Sequence, residues 1–331
     1  MNKKKALIFG VTGQDGSYLA PFLLDKDYEV VGVSRRSSVD TTSRISSLSQ
    51  NENFKLIEGD ISDFVSVYDI IFRNRPDEIY NLAAQSHVGT SFNQPGYTWK
   101  VDAEGPMNVL ESMRRISPQS KFYQASTSEM FGSNRGNPKW IDGIGEVFFQ
   151  NEYTPLSPNS PYAVAKVAAH HTVRMYREAY GVFGCSGILF NHESPVRGEQ
   201  FVTRKITKYL GKLRTTSDTK LKLGNIEASR DWGHAKDYVR AMWMMLQQDV
   251  PDDYVIATGR THTVGEFLEE AFSLYELKWE DYVEIDPTLY RPSEVAYLCG
   301  DYTKARTVLG WKPEITFKQL VKEMAEADAR H

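Results

Sequence analysis

The sequence predicts an α/β fold, a doubly wound parallel sheet with a smaller C-terminal substrate-binding lobe, and three observations carry that prediction. Short apolar runs alternate with helical stretches through roughly the first 190 residues, the pattern of a parallel sheet covered on both faces. A glycine turn, Gly10 to Gly16, stands between the first apolar run and the first helical stretch. After about residue 190 the alternation gives way to shorter runs and loops, with one more strand-like run near residue 254.

In chain order, residues 6–9 read as the first strand and 17–24 as an amphipathic helix. Strands follow at 29–33, 54–57 and 78–82, a helix at 101–113, and a fifth strand at 121–124. Residues 163–180 read as a long helix, 187–190 and 254–257 as further strands, and 317–328 as a terminal helix. These elements predict a dinucleotide-binding domain of residues 1–190 plus about 234–260, and a second lobe of about 191–233 plus 261–331. Residues 191–230 read as short runs with loops, and 132–153 and 215–220 as surface excursions.

Composition excludes several classes. With 41% hydrophobic and 25% charged residues the 331-residue chain is of ordinary globular type. The 39 basic residues are outnumbered by 43 acidic ones, a net charge of −4, which argues against nucleic acid or a membrane surface as partner. The apolar run after Lys3-Lys4-Lys5 ends at Phe9, too short for a secretory signal. Two isolated cysteines, Cys185 and Cys299, suit a reducing cytoplasm, where the protein is expected.

The glycine turn carries the first functional reading. Gly10, Thr12, Gly13, Gln14, Asp15 and Gly16 follow a strand and open a helix, where free backbone N–H groups receive a pyrophosphate. The second strand ends in Ser34-Arg35-Arg36-Ser37-Ser38 rather than in an acidic residue. Guanidinium at that place suits a 2′-phosphate, so the cofactor expected in this Rossmann-like site is NADP, with Arg35 as its phosphate partner. Asp60 and Ile61 end the third strand where the adenine ring is held, although Asp60 also reads as a helix N-cap. Asn81-Leu82-Ala83-Ala84 ends the fourth strand at the cofactor edge.

Tyr162 and Lys166 lie four residues apart on one face of a helix. A phenol titrates near ~10, and a neighbouring ammonium is expected to bring Tyr162 toward neutrality, where it takes a proton from an alcohol. The fifth strand runs into Ser126-Thr127-Ser128-Glu129. Thr127 supplies a hydroxyl for the reacting alcohol, and Glu129 an additional acid/base. Simple hydride exchange has no use for that carboxylate, so it points to proton abstraction beside a transient ketone, and hence to elimination; a helix-capping role for Glu129 is the competing reading.

These residues together resemble the GDP-mannose 4,6-dehydratases of the extended short-chain dehydrogenase/reductase (SDR) superfamily. The likeness spans nearly the whole chain. It includes Gly10–Gly16, Arg35-Arg36-Ser37-Ser38, Asn81–Val88, Thr127-Ser128-Glu129 and Ser160–Lys166, then Leu189–Pro195, Phe201–Ile206, Arg230–Ala235 and Tyr290–Val295. The resemblance implies an NADP-dependent hydro-lyase with Thr127, Glu129, Tyr162 and Lys166 as catalytic residues. It implies cofactor contacts also from Leu82, Ala84, Ser86, Tyr162, Lys166, Asn191, His192 and Arg197. It places a GDP-sugar against Ser86, Thr127, Ser128, Glu129, Asn191, Val202, Lys205, Asn225, Arg230, Arg291 and Glu294. A homotetramer (or dimer) through the loop after Arg35-Arg36 is implied as well. Three departures stand out: a longer segment between Glu129 and Tyr162, Asn159 where the family has Arg, and Val196 before Arg197. The first two are expected near the sugar, which leaves a related GDP-linked heptose or N-acetylhexosamine open as substrate. A catalytically idle NADP-binding scaffold is the remaining alternative.

Overall fold

The computed structural model describes residues 3–141, 145–213, 219–290 and 293–330. A seven-stranded sheet forms its centre. From β1 (Lys5–Phe9) it runs outward through β2 (Glu29–Ser34) to β3 (Phe54–Glu58) on one side. On the other side it runs through β4 (Glu78–Asn81), β5 (Lys121–Thr127) and Gly184–Leu189 to Asp253–Ile256. Every pairing is parallel. The order of strands reverses between β1 and β4, which opens a crevice at their carboxyl ends.

Alternation along β1 shows how the sheet is buried on both sides. Ala6 and Ile8 join one apolar cluster with Leu19, Leu23, Val239 and Met242, while Leu7 and Phe9 join another with Val109, Leu110, Phe122 and Val173. The first cluster is closed by α1 (Gln14–Leu24) and the helix Ala235–Leu246, the second by Phe64–Asn74, Gly105–Ile116 and Pro161–Tyr180. A third apolar cluster (Ile206, Leu210, Trp232, Phe267, Leu320, Met324) is built mainly from the helices Val202–Leu213, Val264–Ser273 and Phe317–Asp328.

Several boundaries differ from expectation for physical reasons. Helix α1 begins at Gln14 rather than residue 17, because the turn ends at the N-cap Gly13 and Gly16 already lies in the first helical turn. Strand β5 continues to Thr127, since Ala125, Ser126 and Thr127 pair with Gly187, Ile188 and Leu189. The long helix starts at Pro161, capped by the Ser160 hydroxyl accepting from the Ala163 amide at 3.1 Å. The helix expected over 101–113 is interrupted: Lys100–Glu104 forms a wide π turn, and a regular helix follows at Gly105–Ile116. Residues 191–230 hold a full helix, Val202–Leu213, not only loops. Of the two expected surface excursions, 132–153 forms an antiparallel hairpin, Asn137–Ile141 with Gly145–Phe149, and 215–218 lie outside the described residues. No described helix is long and apolar enough to cross a membrane.

Candidate active site

The crevice at the β1/β4 reversal is a cleft of about 680 Å³. Gly10 makes its floor possible. Its φ is +81°, and a Cβ there would lie 2.7 Å from the Ala83 amide nitrogen, so the backbones leaving β1 and β4 touch only because the residue is glycine. Gly13 caps α1 without a side-chain hydrogen bond, which leaves the first-turn amides of that helix aimed at the cleft with no internal acceptor. This is the donor set an anionic pyrophosphate requires.

Gln14 and Asp15 line the cleft as expected, yet their side chains turn across to the second lobe. Asp15 Oδ2 lies 2.8 Å from His192 Nε2, and His192 Nδ1 lies 2.8 Å from the Phe190 carbonyl. Gln14 Nε2 donates to the His192 carbonyl at 3.1 Å and its Oε1 accepts from the Ser194 hydroxyl at 2.8 Å. Burial opposes charge on both members of the Asp15–His192 pair, but their mutual attraction and hydrogen bond win: the carboxyl falls below its ordinary value and the imidazole rises above its own. His192 also stacks on Tyr238, ring centroids 4.4 Å apart.

Arg35 stands at the end of β2 on the cleft wall, its guanidinium bonded to the Tyr97 hydroxyl. Asp60 and Ile61 line the adjoining wall, and Asp60 Oδ1 accepts from the Ser62 amide and hydroxyl at 2.9 and 2.7 Å. The N-cap of the following helix is Asp63, so the capping alternative for Asp60 is excluded. Leu82, Ala84 and Ser86 complete this side of the cleft, with Thr12 and Gly16.

The reaction centre assembles from β5 and the long helix. Thr127, Ser128, Glu129, Tyr162 and Lys166 all face the cleft. The Thr127 hydroxyl accepts from the Glu129 amide at 3.2 Å and shares a hydrogen bond with Tyr162. Thr127, not Glu129, therefore caps this turn. Among the described residues the Glu129 carboxylate makes no hydrogen bond or salt bridge.

One expectation is overturned here. Burial, followed by the charge of Asp102, pushes the Tyr162 phenol well above its ordinary value instead of toward neutrality. Lys166 is fully buried and donates to the Ala125 carbonyl at 3.0 Å, with its ammonium 5.7 Å from the Tyr162 ring centroid.

The far side of the cleft gathers Asn191, His192, Arg197, Val202, Lys205, Asn225, Arg230 and Glu294. Arg230 lies 3.6 Å from Glu294, and Arg197 3.1 Å from Glu193. Arg291 lies outside the described residues. Sequence reasoning missed Lys222, Gln200 and Phe201, which also line this half; a lone Lys or Gln in an irregular stretch gives no local signal.

Comparison with known proteins decides the family. The GDP-mannose 4,6 dehydratase family profile matches residues 7–324. GDP-mannose 4,6 dehydratase 2 of Arabidopsis thaliana is 53% identical over 336 residues, covering 98% of this chain and 87% of that protein. The chain belongs to the GDP-mannose 4,6-dehydratase family. The Vibrio cholerae member is 46% identical over 362 residues, covering 99% of this chain and 94% of its own. Among solved structures, the dTDP-glucose 4,6-dehydratase of Bacillus anthracis, in complex with NAD, superposes with a TM-score of 0.83 at 21% identity, covering 99% of this chain and 97% of that one. The RMD protein of Pseudomonas aeruginosa, complexed with NADPH, gives 0.78 at 19%, covering 99% and 100%. These two likenesses are of fold, and agree with the doubly wound parallel sheet described above.

As a family member the chain carries its departures away from the cleft. Of the residues between Glu129 and Tyr162, none of the described ones lines it, Asn159 included. The hairpin instead packs on the 297–300 segment: the Tyr297 hydroxyl donates to the Phe148 carbonyl at 2.9 Å, and Gln150 and Cys299 exchange backbone and side-chain bonds at 2.9 Å. The expectation that the long segment and Asn159 lie near the sugar gains no support from the described lining of the cleft.

Proposed function

We propose that this protein is an NADP-dependent hydro-lyase that converts GDP-mannose to GDP-4-keto-6-deoxymannose. The observation that carries the reading is Glu129, a carboxylate with no hydrogen-bond or ion-pair partner among the described residues, lining the same cleft as Thr127, Tyr162 and Lys166. An epimerase or reductase would leave that carboxylate without work.

Thr127 holds the sugar O4, and Tyr162 as phenolate receives the proton of the C4 hydroxyl. Lys166 keeps positive charge near that oxygen. Glu129 removes the C5 proton once C4 is a ketone, and passes a proton to the C6 oxygen as the C6–O bond breaks and water leaves. When C6 is reduced, C5 takes up a solvent-derived proton by way of Glu129, and Tyr162 returns its proton to solvent. The chemistry that bound NADP supplies is a hydride acceptor at C4 and a hydride donor at C6, so the cycle has no net redox change. Amides of the Gly10–Gly16 turn would hold its pyrophosphate, Arg35 its 2′-phosphate, and Asp60 with Ile61 its adenosine half. Lys205 and Arg230 would neutralise the GDP diphosphate, and Glu294 would accept from ribose hydroxyls.

The exposed loop after β2, which carries Val39 at 69% exposure, is the proposed subunit contact of a homotetramer. Two buried, unpaired cysteines suit work in the cytoplasm. The deciding experiment incubates the protein with GDP-mannose and NADP and follows product mass. Loss of one water without net cofactor consumption supports the reading; an unchanged GDP-mannose beside a turned-over second GDP-sugar replaces the substrate but keeps the chemistry.

A further inference from the structure

The buried stripe of the long helix Pro161–Tyr180 is not wholly apolar, although packing a helix on a sheet asks for nothing else. Tyr162, Lys166 and His170 follow one another at intervals of four and share one face of it. Each bonds a different residue at the end of β5. Tyr162 shares a hydrogen bond with Thr127, Lys166 donates to the Ala125 carbonyl at 3.0 Å, and His170 Nδ1 lies 3.2 Å from Ser126 Oγ. Successive turns of one helix are thus joined to three consecutive residues of one strand. The mechanism above uses Tyr162 and Lys166 and leaves His170 without work.

His170 and Ser126 are both buried, and His170 does not line the cleft. Side chains alternate along β5, and Phe122, on the same side of the strand as Ser126, joins the apolar cluster that holds Val173 of the long helix. The Ser126 hydroxyl therefore faces that helix. On the other edge of the imidazole, Nε2 lies 3.9 Å from Asp253 Oδ2, at the start of the outermost strand. Asp253 is itself fixed, accepting from Arg177 at 2.7 Å and from the Ser186 amide at 3.1 Å. Arg177 belongs to the long helix again, so a polar seam runs from its last turns back to the reaction centre. A carboxylate facing Nε2 favours the ring proton there, which leaves Nδ1 to accept from the Ser126 hydroxyl.

Buried polar groups cost stability unless they are bonded, and an apolar pair would fill the same space without that demand. What the bond adds is register. Apolar contacts between helix and sheet tolerate small shifts, whereas a hydrogen bond prefers one length and one angle.

We propose that His170 is a positioning residue of the reaction centre: through Ser126 it fixes the end of β5 against the long helix, and so sets Thr127 against Tyr162. This rests on the dehydratase reading. Thr127 is the next residue along the strand, and its hydroxyl caps the turn that carries Glu129. A slip of β5 against the helix would therefore move the O4 holder and the C5 base together, away from Tyr162 and Lys166. Proton transfer is steep in such displacements, and a misplacement of about 1 Å can cost about 10²-fold in rate.

The test is the steady-state kinetics of GDP-mannose dehydration by the NADP-loaded enzyme, compared among wild type, Ser126→Ala, His170→Phe, His170→Asn and the double variant Ser126→Ala/His170→Phe. Ser126→Ala and His170→Phe each remove the bond, and His170→Phe keeps a ring in place while Asp253 keeps Arg177. Each is expected to lower kcat by about tenfold or more, with KM and NADP affinity within about twofold of wild type. The double variant is expected to lose no more than the worse single one, because both changes remove the same contact. His170→Asn, whose amide stands near the place of Nδ1, is expected to regain most of the lost kcat. Melting temperature is read on the same samples, and Ser126→Ala carries the comparison should His170→Phe not fold. A Ser126→Ala kcat within about twofold of wild type, losses that multiply in the double variant, or a raised KM with unmoved kcat overturns the role while leaving the dehydratase reading intact. A wild type that does not dehydrate GDP-mannose overturns both.

Discussion

Lys166 bonds the Ala125 carbonyl at 3.0 Å, while its ammonium stands 5.7 Å from the centre of the Tyr162 ring. The lysine is thus anchored to β5, and its influence on the phenol is one of charge through space. Burial, followed by the charge of Asp102, raises the Tyr162 phenol above its ordinary value, and the proposed proton transfer asks Lys166 and the bound reactants to bring it down. Tyr162→Phe is expected to lower kcat by about 10²–10⁴-fold. Its stability should drop by only about 1 kcal/mol for the lost bond to Thr127. Rapid-mix product analysis and thermal melts check the two halves separately.

Glu129→Gln preserves shape and removes the base. NADP affinity is expected to stay within about twofold, with dehydration reduced by at least about 10²-fold. In D2O the variant should also fail to place solvent deuterium at C5. Near wild-type water loss from this variant shows that the C5 proton goes elsewhere.

Arg35→Ser removes the guanidinium from the end of β2. The ratio of NAD to NADP dissociation constants is expected to fall by at least about tenfold, a change of ~1.4 kcal/mol, because only the 2′-phosphate is deprived of a partner. Fluorescence titration with both cofactors measures it, and an unchanged ratio places 2′-phosphate recognition elsewhere.

The Asp15–His192 pair ties stability to pH. The His192 value is raised on folding, so its contribution is whole below the unfolded value near ~6.5 and is lost as pH rises through the folded one. The Asp15 value is depressed, so its contribution is whole above ~3.9 and fades as pH falls through the folded one. Wild-type stability should therefore decline on the alkaline side of ~6.5 more steeply than that of Asp15→Asn. That variant, which strips a buried partner, should cost about 3–5 kcal/mol near pH 6. Denaturant melts across this range provide the comparison, and parallel pH slopes for the two proteins refute the assignment.

What could be read from the chain was what is local. Gly10 to Gly16 and Tyr162 with Lys166 carry their meaning in spacing, and the structure sets all of them on the cleft. Helix Val202–Leu213 was readable too, since Val202, Ile206 and Leu210 repeat every four residues, but the polar residues between them made the stretch look irregular. The end of β5 was hidden because Ser126 and Thr127 are polar and their strand partners, Ile188 and Leu189, lie some sixty residues on.

The contacts of Gln14 and Asp15 with His192 and Ser194 form a seam along one wall of the cleft. Arg44 extends it, donating to the carbonyls of Thr12 and Val196 at 3.3 and 2.9 Å. A cleft sewn along the pyrophosphate turn does not part like a book. On the proposed function, traffic is expected to divide accordingly: a sugar nucleotide enters and leaves over the unsewn rim, near Lys205 and Asn225, while a dinucleotide lying along the stitches departs only when several of them break together. On the same reading, the cofactor is expected to stay bound through many turnovers, as befits a reagent that each cycle returns to its starting state.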